Sequence, residues 1–209
     1  MSAESMKLLW SSRSPFVRKV MVAAHEVGLA DRIVTERVVV GADKPNADVM
    51  ALNPLNKIPT LVLGDGSLLY DSRVISEYLD TLHDGARLFP SDTAARWAAL
   101  RRQALGDGLM EAIVLRLGEQ GRPKEWQSES HLAAFRLKIA TALDRIEAEG
   151  PGSEGPPDIG QIAVGCALGH LDFRFAADAW RTDRPKLSAW YALFADRPSM
   201  RATEYADVY

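Results

Sequence analysis

The apolar pattern of this chain changes period once, near residue 84, and that change limits the possible folds more than any single residue does. Before it, short apolar runs alternate with helical patterns. Lys7–Trp10 reads as a strand. Phe16, Val17, Val20, Met21, Ala24 and Val27 recur at helical spacing, which predicts a helix over Pro15–Val27 with Gly28 as its stop. Ile33–Val40 is rich in β-branched residues and predicts a strand, and Asp48–Leu52 a short helix or irregular turn. Thr60–Leu63 and Ser67–Tyr70 flank Gly64-Asp65-Gly66, a hairpin signal. Ser72–Leu82 then carries Val74, Ile75, Tyr78, Leu79 and Leu82 on one helical face. The order is βαβ, a connector, and ββα.

After the change the pattern is helical only. Asp84–Ser91 is polar, with Gly85 and Pro90, and reads as a linker. This divides the chain into an α/β domain over residues 1–83, a linker over 84–91 and an all-α domain over 92–209. Helices are expected at Thr93–Gly118, with a bend at Gly106-Asp107-Gly108, and at Glu129–Glu149, Asp158–Ala176 and Lys186–Ala195. Gly150–Pro157 holds too many glycines and prolines for a helix interior. Asp158 and Gln161 have the spacing of a capping box at the start of the third helix.

Bulk properties exclude several function classes. A formal net charge of −3 argues against a nucleic-acid footprint. The apolar runs fall short of a membrane span, and residues 1–6 lack the pattern of a secretory signal. The one cysteine, Cys166, rules out an internal disulfide framework and a Cys-rich zinc site. A cytoplasmic location is the simplest expectation. Cys166 lies among small apolar residues and reads as a buried, inert thiol. His25, His83, His131 and His170 show no metal spacing, so no metal is expected. GxGxxG, a phosphate-binding P-loop and Gly-x-Ser-x-Gly are all missing.

Three short segments carry chemistry. Ser11-Ser12-Arg13-Ser14-Pro15-Phe16 places three hydroxyls where the first helix begins. A helix start offers unpaired N–H groups and partial positive charge, which suits an anion such as a thiolate. Ser14 before Pro15 is also an ordinary N-cap, and a capping oxygen can still donate its proton to sulfur. Ser11 and Ser12 compete for that donor role. Asn53-Pro54-Leu55-Asn56-Lys57-Ile58-Pro59 either launches the next strand or, with a cis Ile58–Pro59 bond, turns the Ile58 backbone outward to pair with an extended peptide. Asp71-Ser72 either caps the following helix or also holds a zwitterionic amino-acid end.

The three segments, in this order, resemble those of the glutathione S-transferase superfamily, particularly bacterial members related to the tau and omega classes. Gly165-Cys166-Ala167-Leu168-Gly169, Trp190 and Arg197-Pro198-Ser199-Met200 are similar too, so the resemblance covers nearly the whole chain. It implies an N-terminal thioredoxin-like domain, an all-helical C-terminal domain, a homodimer, and glutathione as co-substrate. Ser14 takes the place of the residue that activates the glutathione thiol. Phe16, Lys57, Ile58, Pro59, Asp71 and Ser72 map to the glutathione pocket, with Phe16 packed beneath it. Position along the helices suggests Met110, Val114, Phe173 and Trp180 as the lining for a small hydrophobic electrophile. Asp107 either reaches the glutathione of the other subunit or makes a structural pair. Asn56, Asp158 and Gln161 depart from the commoner Gly, Ser or Thr, and Asp. The expected activity is glutathione transfer. The alternatives are a partner-binding or regulatory protein on the same scaffold, and a glutathione-dependent isomerase or dehalogenase.

Overall fold

The computed structural model describes residues 5–152 and 155–207. Expectations resting on residues 1–4, on residues 153–154 of the Pro/Gly-rich loop and on residues 208–209 lie outside them. The first domain contains β1 (Met6–Trp10), α1 (Pro15–Glu26), β2 (Ile33–Arg37), α2 (Ala47–Leu52), β3 (Thr60–Val62), β4 (Leu68–Leu69) and α3 (Ser72–Asp80). The second contains α4 (Thr93–Gln120), α5 (Glu129–Glu149), α6 (Ile159–Phe175), α7 (Pro185–Ala195) and α8 (Pro198–Arg201). The sheet order is β2-β1-β3-β4, with β1 parallel to β2 and antiparallel to β3, and β3 antiparallel to β4.

Several elements are shorter than the sequence predicts, for visible reasons. β2 ends at Arg37 because its partner β1 ends at Trp10; one further bond, Val38 N–H to the Trp10 carbonyl at 3.0 Å, closes the ladder. β4 is confined to Leu68 and Leu69; beside it the Ser67 carbonyl still accepts the Leu63 N–H at 2.9 Å, while the Ser67 N–H turns to the Asp65 carboxylate at 2.8 Å. α4 runs through Gly106 without a break, where a bend is expected from the sequence. Gly106 answers a packing need instead: a Cβ there would lie 2.8 Å from Ala163 of α6. A Cβ on Gly160 would lie 2.6 Å from the Ala99 carbonyl of α4. These two glycines let α4 and α6 approach closely. The capping box predicted at Asp158 is present, with both reciprocal bonds formed.

α1 belongs to both domains. Val17, Val20 and Ala24 join Leu8, Leu61, Ile75 and Leu79 in the sheet core, while Val22 and Ala23 join the helical core around Ile113, Ile162 and Leu168. The connector between α3 and α4 is tied down by Asp80. Its carboxylate accepts the N–H groups of Leu88 at 2.7 Å and Phe89 at 3.2 Å, and both side chains are buried.

At the C-terminal end of α1, Glu26 accepts two bonds from Arg197, at 2.8 and 2.7 Å, and one from the Ser199 hydroxyl. Partial burial pushes the Glu26 carboxyl up, but the bonds from Arg197 and Ser199 outweigh it and hold the group below its ordinary value. A depressed carboxyl stabilises the fold above its unfolded pKa of about 4.3 and loses that contribution as pH falls through the folded value. Glu26→Gln is therefore expected to cost about 1–3 kcal/mol in urea unfolding at pH 7. The gap from the parent chain should close as the pH is taken below the carboxylate range. A gap independent of pH would refute the charge-based account.

Candidate functional site

The strand register brings the three chemistry-bearing segments together. Leu9 of β1 faces Thr60 of β3, and Leu61 of β3 faces Leu69 of β4. The end of β1, the start of β3 and the end of β4 therefore lie at one edge of the sheet. Ser11–Ser14 leave β1 there, Ile58–Pro59 enter β3 there, and Asp71-Ser72 leave β4 there.

Each segment is built locally. Ser14 is the N-cap of α1, with backbone in the extended region, and its Oγ accepts the Val17 N–H at 3.3 Å. Ser11 Oγ accepts the Arg13 N–H at 3.4 Å, while Ser12 Oγ donates to the Ala206 carbonyl at 2.8 Å. In the second segment, the buried Asn53 amide donates to the Lys57 carbonyl at 3.1 Å and the Thr60 hydroxyl at 3.0 Å. Asn56 has φ 53°, which Asn tolerates better than most residues, so it can stand where Gly is commoner. Its side chain also earns the position, accepting from Asn46 N–H at 3.0 Å and donating to the Lys44 carbonyl at 3.1 Å. Ile58–Pro59 is cis. The Ile58 N–H and C=O take no partner among the described turn, loop and cap bonds, and Lys57 is exposed.

In the third segment the N-cap of α3 is Asp71, whose carboxylate accepts the Arg73 N–H at 2.8 Å. The Tyr70–Asp71 bond is also cis. Ser72 is buried, with its carbonyl accepting from the Ser76 hydroxyl at 2.7 Å. Arg73 reaches back to Asp107 of α4, Nε to Oδ2 at 2.8 Å, and Lys19 of α1 meets the other oxygen of Asp107 at 2.6 Å. Asp107 thus makes a structural pair within its own chain. Burial pushes the Lys19 ammonium down, and Asp107 works against that.

Family models for the glutathione S-transferase N-terminal and C-terminal domains match residues 13–82 and 129–193. The GST-like protein YibF of Escherichia coli K12 is 35% identical over 204 residues, covering 95% of this chain and 98% of that protein. A glutathione transferase family member from Pseudomonas fluorescens Pf-5, crystallised with bound glutathione, superposes with a TM-score of 0.93 at 45% identity, over 97% of this chain and all 100% of that one. The chain belongs to the glutathione S-transferase superfamily. A stringent starvation protein A homolog of Coxiella burnetii is 32% identical over 132 residues, covering 61% of this chain and 60% of that protein.

The helical half of this superfamily member departs from expectation. Met110 is 0% exposed and Trp180 3% exposed. Trp180 packs edge-on against Tyr191 and donates its indole N–H to Asp172 at 2.7 Å. Both are core residues with no surface to offer an electrophile, which corrects their expected role as pocket lining. Val114 is half-exposed and Phe173 half-buried. Phe16, at the start of α1, is half-buried and packs against the helical core. Sequence reasoning missed the tail. Ala206 pairs with Ser12, Tyr205 stacks on Phe173, and Arg174 meets Asp207 at 3.2 Å. No local signal marks these contacts, because they join residues far apart in the chain. Among the described residues no His, Cys, Asp or Glu cluster suits a metal, and no helix is long and apolar enough to cross a membrane.

Two outcomes follow from this geometry. Asp107→Ala leaves Lys19 buried without its counter-charge and should cost about 3–5 kcal/mol, whereas Lys19→Met combined with Asp107→Leu should cost much less. Chemical denaturation of the three proteins decides it; equal losses would sink the argument. Burial pushes the Cys166 thiol up to about 11, so it should resist a thiol reagent in the native state and react only on unfolding. Rapid labelling of the native protein at pH 7 would contradict this.

Proposed function

We propose that the chain is a glutathione transferase that prepares the glutathione thiolate for attack on a small hydrophobic electrophile. The observation that carries the reading is the convergence of Ser14, Ile58–Pro59 and Asp71-Ser72 at one sheet edge. Further support comes from the Pseudomonas fluorescens Pf-5 protein, also crystallised with S-(propanoic acid)-glutathione, at 44% identity and a TM-score of 0.89 over 97% of this chain. That ligand is a glutathione thioether of the kind a conjugation reaction makes.

In this reading glutathione lies along the edge as a short added strand. The free N–H and C=O of Ile58 pair with its cysteinyl backbone, beside Pro59. The N-terminus of α3 receives the γ-glutamyl end: Ser72 and its N–H face the carboxylate, and Asp71 faces the α-amino group. Lys57 meets the glycine carboxylate. The sulfur sits at the N-terminus of α1, where the Ser14 hydroxyl donates to it while the Ser14 oxygen accepts from Val17. Ser11 and Ser12 remain its rivals, although Ser12 already donates to Ala206. The thiolate attacks an electrophilic carbon, forming the C–S bond. In a substitution the pair of the broken bond leaves with the departing group; in an addition to an activated alkene its π pair shifts to the carbon beside the activating group, which then takes a proton from solvent. The electrophile approaches from the helical side, past Val114 and Phe173. A homodimer and a cytoplasmic location belong to the same proposal.

A second reading is favoured by the likeness to the stringent starvation protein A homolog: a regulatory protein that keeps the scaffold. A pH series of glutathione titrations, followed by calorimetry and by thiolate absorbance, separates the two. The transferase reading expects saturable binding and a thiol pKa below the free value of about 8.5. Ser14→Ala should hold glutathione affinity within a few-fold, raise the bound thiol pKa, and lower conjugation about tenfold for each unit of pKa regained. Absence of binding would transfer support to the regulatory reading. Full activity in Ser14→Ala, with loss in Ser11→Ala or Ser12→Ala, would move the role to another hydroxyl.

A further inference from the structure

The hydroxyl of Ser14 is weakly held by its own helix. The Val17 N–H···Oγ distance of 3.3 Å is beyond the usual range for such a bond. Placement of a donor beside a reacting sulfur has to be accurate to a fraction of an ångström. The backbone of the turn is closed by the Ser14 N–H to the Ser11 carbonyl at 3.2 Å and by the Arg18 N–H to the Ser14 carbonyl at 3.0 Å, and the C-terminal segment adds contacts on both sides of Ser14. Before Ser14, Ser12 and Ala206 bond reciprocally: Ala206 N–H to the Ser12 carbonyl at 3.3 Å, and Ser12 Oγ to the Ala206 carbonyl at 2.8 Å. After it, Arg18 donates to the Met200 carbonyl at 3.0 Å and to the Thr203 hydroxyl at 3.4 Å.

Tyr205 anchors this segment. Its ring stacks on Phe173 with centroids 5.3 Å apart and planes 11° from parallel, and lies 5.2 Å from the ring of His170. The Arg18 guanidinium sits 4.3 Å from the Tyr205 ring centre, and the Tyr205 hydroxyl donates to the Cys166 carbonyl at 2.8 Å. The ring lies in a slot beside Gly169, with the Tyr191 hydroxyl also close: a Cβ on Gly169 would lie 2.7 Å from Tyr191 Oη. A Cβ on Gly169 would lie 3.3 Å from Tyr205 Cε2 and 2.5 Å from Arg18 Nη1. His170 beneath the ring stays neutral, because burial first, then Arg174 and Arg18, push its imidazole down to about 3.

We infer that Tyr205 is a positioning residue for the thiol-activating turn: docked in the Gly169 slot, it holds Ala206 against Ser12 and so sets where the Ser14 hydroxyl points. The inference rests on the transferase reading, and its role is exerted through Ser14, not by contact with the sulfur.

The test uses the full chain with Tyr205→Ala and Tyr205→Phe. Three quantities are measured: the pKa of bound glutathione by thiolate absorbance, the glutathione Kd, and turnover of 1-chloro-2,4-dinitrobenzene as a probe electrophile. Tyr205→Ala should raise the bound thiol pKa by about one unit and cut turnover about tenfold at pH 6.5, with Kd changed only a few-fold. Tyr205→Phe keeps the ring in its slot and should restore most of both. In a Ser14→Ala background, Tyr205→Ala should add nothing to the pKa shift, since the hydroxyl it positions is gone. A parent-like thiol pKa in folded Tyr205→Ala, or a shift that adds in full to that of Ser14→Ala, would overturn the inference. Should Tyr205→Ala fail to fold, Tyr205→Leu serves with the same expected outcomes. Amide hydrogen exchange separates the two readings. If the parent chain binds no glutathione, the transferase reading falls, and the turn is then read directly: faster exchange at Arg18 in Tyr205→Ala but not in Tyr205→Phe supports tail anchoring, and unchanged exchange refutes it.

Discussion

A fully buried ion pair joins the two halves of this molecule. Lys19 leaves the middle of α1 and meets Asp107 in the middle of α4, with both side chains removed from water. Burying two charges is costly, and the cost is met only when the partners are close and further bonded. Arg73 supplies the extra bond from α3. Three helices, two from the sheet domain and one from the helical domain, therefore depend on one carboxylate. Two of them begin at the candidate site: Ser14 caps α1, and Asp71 caps α3. The same pair that docks the domains also fixes the relative positions of two helix N-termini, the groups best suited to hold an anionic ligand.

The docking is reinforced at both ends of α1. Near its C-terminal end, Glu26 is gripped by Arg197 and Ser199. Near its N-terminus, Arg18 is engaged by Met200 of α8 and Ser12 by Ala206 in the chain that follows it. Behind these contacts α4 and α6 form a rigid wall, since Gly106 and Gly160 allow backbone approach that any side chain would block. A helix start held at several points is a suitable platform for chemistry that needs an accurate hydrogen-bond donor.

Much of this was legible in the sequence because it is written in local patterns. Period-2 and period-3.6 runs located the strands and helices, and Ser14, Asp71 and Asp158 before helical runs marked the caps. The sequence reading was weakest where one residue serves two purposes. Gly106 looks like a helix weakness when viewed alone, yet it is the contact point for α6. Met110 and Trp180 look like apolar lining, and burial places them in the core. Leu88 and Phe89 sit in a polar stretch, and the Asp80 carboxylate draws them into the interior.

By itself the sequence determined the element order, the caps, and the residue types that suit a thiolate, an extended peptide and a zwitterion. These depend on neighbours within a few positions, so spacing alone reveals them. Only the tertiary structure decided that the three segments share one sheet edge, that Asp107 serves Lys19 and Arg73, and that Tyr205 and Ala206 close on Ser12. Those facts depend on strand register and on which side chains meet across the domain boundary. Pairings between residues so distant in the chain leave no periodic trace, because each partner satisfies its own local pattern equally well without the other.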